Sequence, residues 1–291
     1  MVGPHVLARA LDDLAVRRST DDLPALARDL LGHEASFPLT ASFVRPGGWH
    51  YLGAELARTK VQLCGRLVVE LDGRPVEEKL PGRQGRLLFA FLAVNRNRTL
   101  TRDELVAAIW EDGRDGGLAP LLSKLRRVVP VEANRLQLPA GAWIDVEAAG
   151  EAVHRSESAV AQGDFHRAWG PAQVAMFVSG RVFLPGEESE WILSERRALA
   201  ALHLRALEAY AQASLQIGGT ELAAAVRAGH ELTRLEPYRE TGYRILMQAL
   251  AAEGNAAEAL RVYDSLRLLL HGELGTAPSA ATQELHRSLL G

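Results

Sequence analysis

Leu100-Thr-Arg-Asp-Glu-Leu-Val-Ala-Ala-Ile-Trp110 and, after a glycine-rich break, Leu118-Ala-Pro-Leu-Leu-Ser-Lys-Leu-Arg-Arg-Val-Val-Pro130 decide how this chain folds. Thr101 and Glu104 stand three apart, the spacing at which hydroxyl and carboxylate reciprocally satisfy the free N–H groups of a starting helix. Leu105, Ala108 and Ile109 continue it as an apolar stripe, and Gly113-Arg-Asp-Gly-Gly117 stops it. Leu118, Leu121, Leu122, Leu125 and Val129 then recur at i, i+3, i+4, i+7 and i+11, which predicts a second helix with one buried face. Ser123, Lys124, Arg126 and Arg127 fall on its other side. Pro120 fits the first turn, where no N–H is needed, and Pro130 ends the run.

Working outward, the upstream period is two. Val61-Gln-Leu-Cys-Gly, then Leu67, Val69 and Leu71, Asp72-Gly73 and Val76, predict strands around a tight hairpin. From Gly85 the period becomes helical, with Leu87, Leu88, Phe91 and Leu92 on one stripe ending at Asn95-Arg-Asn-Arg. Downstream, Arg135-Leu-Gln-Leu138 and Ala142-Trp-Ile-Asp-Val146 alternate about Pro139-Ala-Gly141 and are expected to close the unit as a second hairpin. Residues 60–146 thus read as strands, three helices and a hairpin.

Residues 147–291 hold no strand pattern except the short Arg181-Val-Phe-Leu184, and they repeat. Gly219 and Gly254 are 35 residues apart, as are Ala224 and Ala259, Ala228 and Tyr263, Leu235 and Leu270, and Tyr210 and Ile245. A period near 34 with small residues at helix crossings is that of tetratricopeptide units, which bury their faces only by stacking. Ala161-Gln-Gly-Asp-Phe-His-Arg-Ala168 adds an earlier unit, separated from the rest by an insertion containing Phe183-Leu-Pro-Gly-Glu-Glu-Ser-Glu-Trp191. Residues 1–59 stay unassigned and partly helical: Leu7, Ala10, Leu11, Leu14, then Leu23, Leu26 and Leu30 suggest two short helices, and Ser36 to Tyr51 an irregular or β stretch.

Composition narrows the function classes. The 291 residues are 47% hydrophobic and 24% charged, with a net charge of −3, so disordered, collagen-like and coiled-coil readings are disfavoured. Residues 60–145 hold 14 basic and 11 acidic side chains, the only basic third. One cysteine, Cys64, excludes an internal disulfide framework and suits a reducing cytoplasm. The longest apolar run, Leu87–Val94, is too short to span a bilayer, and the amino end lacks a secretory pattern, so a cytoplasmic protein without membrane contact is expected.

The order of strands, three helices, hairpin and helical repeats resembles the antibiotic regulatory protein family of actinobacterial transcription activators. Gly85-Arg-Leu-Leu-Phe-Ala-Phe-Leu-Ala and Leu100–Trp110 resemble its winged helix-turn-helix. Phe183-Leu-Pro-Gly-Glu-Glu-Ser-Glu-Trp-Ile-Leu-Ser-Glu-Arg-Arg197, Glu236-Pro-Tyr-Arg-Glu-Thr-Gly-Tyr-Arg-Ile-Leu-Met247, Ala257-Glu-Ala-Leu-Arg-Val-Tyr-Asp264 and Leu274-Gly-Thr-Ala-Pro-Ser279 are similar to its bacterial transcriptional activation domain. The resemblance implies a mainly α chain: a winged helix-turn-helix of α+β type over 60–146, then a tetratricopeptide-like helical repeat domain over 147–291. It also implies a transcription regulator that binds double-stranded promoter DNA and contacts RNA polymerase subunits, or a second copy as a homodimer, through the repeats.

The side chains expected at the DNA are Ser123, Lys124, Arg126 and Arg127 on the third helix, Arg102, and Arg135 in the wing, with Arg83, Arg86, Arg96 and Arg98 near flanking phosphates. The competing reading of these charges is a solvated helix face. Between Trp110 and Lys124 the chain is shorter than the family's pattern, and the wing carries one basic residue. The rival function is therefore a protein-interaction or signal-receiving module whose winged helix has lost DNA.

Enzymatic patterns are missing. No His-Glu-x-x-His, Gly-x-Ser-x-Gly or Walker-type Gly-Lys-Ser/Thr occurs, so no catalytic residue, cofactor or metal ligand is expected. Glu187, Glu188 and Glu190 lack a neighbouring His or Asp and read as loop acids rather than metal ligands. Trp110, Trp143, Trp169 and Trp191 are expected in the core, and Cys64 as a small buried hydrophobe.

Overall fold

The computed structural model describes backbone at residues 44–45 and 48–49, and whole residues over 58–110, 113–139 and 141–291. Contacts divide the chain into two compact units, residues 1–40 and 41–291, and every described residue lies in the second. The two short helices expected before residue 31 fall outside the described residues. Within the expected β stretch, β1 (Val44–Arg45) pairs antiparallel with β2 (Gly48–Trp49).

β3 (Lys60–Gln62) and β4 (Val68–Leu71) form an antiparallel pair with Val61 opposite Val69, both fully buried. β5 (Arg74–Pro75) folds back on β4 through Asp72 and Gly73, both at positive φ, the conformation that two-residue hairpin turns demand. Three helices follow: α1 (Gly82–Val94), α2 (Arg102–Ile109) and α3 (Leu118–Leu125). Thr101 and Glu104 form the reciprocal capping box at the start of α2. Leu118, Leu121, Leu122 and Leu125 all face inward, as their spacing requires. α3 ends at Leu125 rather than Val129. From there Arg127 and Val128 donate to the carbonyls three residues back, a tighter turn that carries the chain to Pro130.

The closing hairpin differs from the one expected. β6 (Val131–Glu132) pairs antiparallel with β7 (Arg135–Leu136) across Ala133 and Asn134, both at positive φ. β8 (Trp143–Ile144) does not return to β7. It lies parallel beside β3, with Ile144 opposite Val61, giving the sheet order β5-β4-β3-β8. The burial of Ile144 against Val61 and Leu63 outweighs the local turn at Pro139-Ala-Gly141.

Seven helices complete the chain: α4 (Asp145–Ala161), α5 (Phe165–Ser179), α6 (Glu190–Ile217), α7 (Leu222–Leu235), α8 (Glu240–Ala252), α9 (Ala256–Leu274) and α10 (Ala280–Leu289). Gly163, Gly218, Gly219 and Gly254 take positive φ at the turns, as the 35-residue spacing of Gly219 and Gly254 foretold. Ala224, Ala228, Ala259 and Tyr263 are all buried at the stacked faces.

The tightest crossing is glycine-mediated. A Cβ on Gly229 of α7 would lie 2.9 Å from the Leu246 Cβ and 3.1 Å from its Cα on α8; one on Gly242 would lie 2.9 Å from the Leu232 Cβ. Gly229→Leu is therefore expected to force α7 and α8 apart and to lower stability by about 1–3 kcal/mol. On α4, a Cβ at Gly150 would make only ordinary contact with Leu202, so Gly150→Ala should raise stability by about 0.5–1 kcal/mol. Thermal melts of the two variants check both signs.

The sheet unit and the helical repeats share one core. Leu63, Phe89, Phe91 and Ile144 pack in the same cluster as Val178, Phe183, Leu184 and Ile192. The Arg181-Val-Phe-Leu184 stretch docks on the sheet: Cys64 bridges Phe183 antiparallel, Gly65 N donates to Val182 O at 2.8 Å and Leu184 N to Leu63 O at 3.0 Å. Arg196 holds that loop from α6 by donating to the carbonyls of Phe183, Leu184 and Glu187 at 2.8–3.0 Å. Asp145, the first residue of α4 and 1% exposed, accepts Leu63 N at 2.9 Å and Cys64 N at 2.8 Å. Burial pushes its carboxyl up to about 6, while the N–H donors of Cys64, Leu63 and Val146 pull it the other way. Cys64 is fully buried, as its sequence setting suggested, and burial first, then Asp145, push its thiol up.

Candidate nucleic-acid interface

α2, the turn after it and α3 form a helix-turn-helix, and β6–β7 stands where a winged helix carries its wing. The turn is built by one carboxylate. Oδ1 of Asp115 accepts Gly117 N at 2.9 Å and Leu118 N at 2.6 Å, satisfying two free donors at the start of α3. Its other oxygen accepts Nη2 of Arg102, the first residue of α2. These backbone donors, Leu118 before Gly117, hold the Asp115 carboxyl below its ordinary range. Gly117 sits at φ +116°, and a Cβ on Gly116 would come within 2.3 Å of Trp110 Nε1, so both positions demand glycine. Residues 113–117 of the shortened stretch thus turn tightly into α3, which keeps its buried face intact.

On α3 the outward positions are Ala119 and Pro120 near the amino end, then Ser123 and Lys124, with Arg126 and Arg127 in the turn that follows; all are exposed. Eight residues of helix span about 12 Å. Ala119 and Pro120 offer no side-chain hydrogen bond to a base edge. The chemistry of this face is therefore concentrated at its carboxyl end.

Pairing separates the predicted cations into two groups. Lys124, Arg126 and Arg127 have no carboxylate partner among the described residues. Four others are engaged: Arg83 pairs with Glu187 at 2.6 Å, Arg96 with Glu147 at 2.6 Å, Arg98 with Glu104 at 2.6 Å, and Arg102 with Asp115. Arg135 of the wing is exposed, but its Nε donates to the Arg96 carbonyl at 2.7 Å. Asn134 donates from Nδ2 to Leu100 O, tying the wing turn to the approach of α2. Glu104 is held down to about 2, first by the Thr101 N–H, then by Arg98 and the Thr101 hydroxyl. Arg86 is exposed on α1.

Sequence reasoning missed Asp115. Its signal was an Asp two residues before the helix cap, a position from which a carboxylate reaches back to free N–H groups. The remaining candidates took structural roles. Trp191 donates from Nε1 to Ala108 O at 3.0 Å and meets the rings of Phe91 and Phe183 edge-on at 5.1 and 5.9 Å. Glu187 pairs with Arg83 and Glu190 with Arg197. Among the described residues, no three of His, Cys, Asp and Glu gather as metal ligands, and no helix is long and apolar enough to cross a membrane.

The bacterial transcriptional activator domain family matches residues 144–290. The regulatory protein AfsR of Streptomyces coelicolor is 31% identical over 232 residues, 75% of this chain and 23% of AfsR. The transcriptional regulatory protein EmbR of Mycobacterium tuberculosis is 28% identical over 251 residues, 78% of this chain and 62% of EmbR. The chain therefore spans under a quarter of the one relative and about three fifths of the other. The structure of Mycobacterium tuberculosis EmbR in complex with a low affinity phosphopeptide superposes with a TM-score of 0.66 at 24% identity, covering 80% of this chain and 65% of that one. The shared fold, the family match over half the chain and these regulator relatives together establish that the chain belongs to the bacterial transcriptional activator domain family, in its antibiotic regulatory protein type.

Proposed function

We propose that this protein binds promoter DNA through residues 60–146, with α3 in the major groove, and contacts the transcription machinery through residues 147–291. The observation that carries the reading is the set of exposed cations Lys124, Arg126 and Arg127, which find no carboxylate partner among the described residues, on the outer face of α3 and its terminal turn. Exposed, unpaired cations on a groove-sized helix suit phosphate neutralisation and bidentate contact with guanine. Arg102 and Arg135 support this face from its edges, Arg102 by holding the turn and Arg135 by fixing the wing. Ser123 adds a hydroxyl beside Lys124 that serves either a phosphate or a base edge.

The repeats would present RNA polymerase subunits, or a second copy of the chain, with a platform of fixed orientation, because the shared core joins them to the sheet unit. The protein would act in the cytoplasm by adding contacts, with no bond made or broken. Incubating the full chain with a pool of random-sequence duplexes at moderate salt tests the reading. Enrichment of one recurring sequence is expected; repeated rounds that enrich none would favour the interaction-module alternative.

A further inference from the structure

Asp115 makes three bonds with one carboxylate: two to the backbone of α3's first turn and one to the first residue of α2. Among the described residues no other side chain caps the amino end of α3, and Gly117 itself offers none. Gly113 and Gly117 both sit at positive φ, and Gly116 rests against the Trp110 ring without a side chain of its own. Four buried leucines seat α3 in the core, and that carboxylate holds its first turn, at the opposite end from Lys124 and Arg127.

We infer that Asp115 is a positioning residue for DNA reading: it contacts no base itself and fixes the first turn of α3 through the N–H groups of Gly117 and Leu118, so that the cationic end of α3 meets the groove in one register. This rests on the DNA-binding reading above. It also assigns an acid to a face expected to approach phosphate, where an unpaired carboxylate would be unfavourable. The two backbone donors and Arg102 occupy its oxygens, which accounts for its tolerance there.

Asparagine and alanine separate the parts of the role. In Asp115→Asn one oxygen still accepts from Gly117 and Leu118, as a capping amide does, while the bond to Arg102 is lost. Asp115→Ala loses both. The full-length variants are titrated with the duplex that the wild-type chain enriches from a random pool and with an unselected duplex of equal length. Asp115→Ala is expected to lose roughly tenfold on the selected duplex, little on the unselected one, and none of its salt slope, because no phosphate contact is removed. Asp115→Asn should stay within about threefold of wild type on both.

Amide exchange supplies a readout that needs no DNA: Leu121 N, whose partner is Gly117 O, should exchange faster in Asp115→Ala and not in Asp115→Asn. Full affinity for the selected duplex in Asp115→Ala would overturn the proposal, as would equal losses in both variants, which would point to the Arg102 pair instead. A wild-type chain that enriches no duplex would defeat the DNA-binding reading and this proposal with it. Faster exchange in Asp115→Ala would then mark a structural cap only.

Discussion

Trp191→Ala is expected to destabilise the chain by about 3–5 kcal/mol, the largest effect of any single change considered. Trp191 is the second residue of α6, yet its contacts lie in the sheet unit: Phe91 of α1, Phe183 of the docked loop and the Ala108 carbonyl at the end of α2. Truncation opens a void between two halves whose cores are continuous there, and the surrounding helices, each held by its own neighbours, collapse into it only in part. It also leaves the Ala108 carbonyl without its donor. Trp191→Phe keeps most of the apolar volume and loses only that bond, so a cost of about 1–2 kcal/mol is expected. Denaturant titration of the two variants orders them. A loss under about 1 kcal/mol for Trp191→Ala would mean that the halves are not joined through this residue.

Asp145→Ala comes second, at about 2–5 kcal/mol near neutral pH, because it strands the buried N–H groups of Leu63 and Cys64. The wild-type residue also gives stability a pH dependence. Its carboxyl lies at about 6 in the folded chain against an ordinary 3.8, so between those values the folded state binds the extra proton. Its contribution is therefore greatest below pH 4, declines as pH rises towards 6 and is level above that, a fall of about 3 kcal/mol in all. Asp145→Asn stays neutral throughout. The stability of wild type minus that of Asp145→Asn should accordingly be more positive at pH 4.5 than at pH 7.5. A difference that is constant, or more positive at the higher pH, would show that the buried carboxyl does not titrate in that window.

What the sequence made legible was local. The Thr101–Glu104 box, the leucines of α3 and the glycines at 219 and 254 each act over a few residues or one repeat, so their spacing carries their meaning. What stayed hidden depended on partners distant in the chain. Asp145 is explained by Leu63 and Cys64, 82 and 81 positions away, and β8 by its parallel neighbour β3. The wing turn was missed because Ala133 at positive φ leaves no turn signature, whereas Pro139-Ala-Gly141 advertises a turn that no hairpin uses. At the candidate interface the exposed set on α3 was readable from periodicity. The engagement of Arg102 by Asp115 and of Arg135 by the Arg96 carbonyl was not, since neither pairing follows helical spacing.

The central claim, that the cations of α3 carry DNA affinity, is tested most directly by the salt dependence of binding. Wild type, Lys124→Ala and Lys124→Ala/Arg127→Ala are titrated with one enriched duplex at several salt concentrations, and log affinity is plotted against log salt. Each phosphate contact contributes about 0.9 to the slope, so Lys124→Ala should lower it by about one and weaken binding to all sequences about equally. Removing Arg127 as well should cost a further 1–3 kcal/mol or so on the enriched duplex and far less on an unrelated one. Identical slopes and affinities for all three proteins, with melting unchanged, would contradict the account and leave this face of α3 as solvated surface.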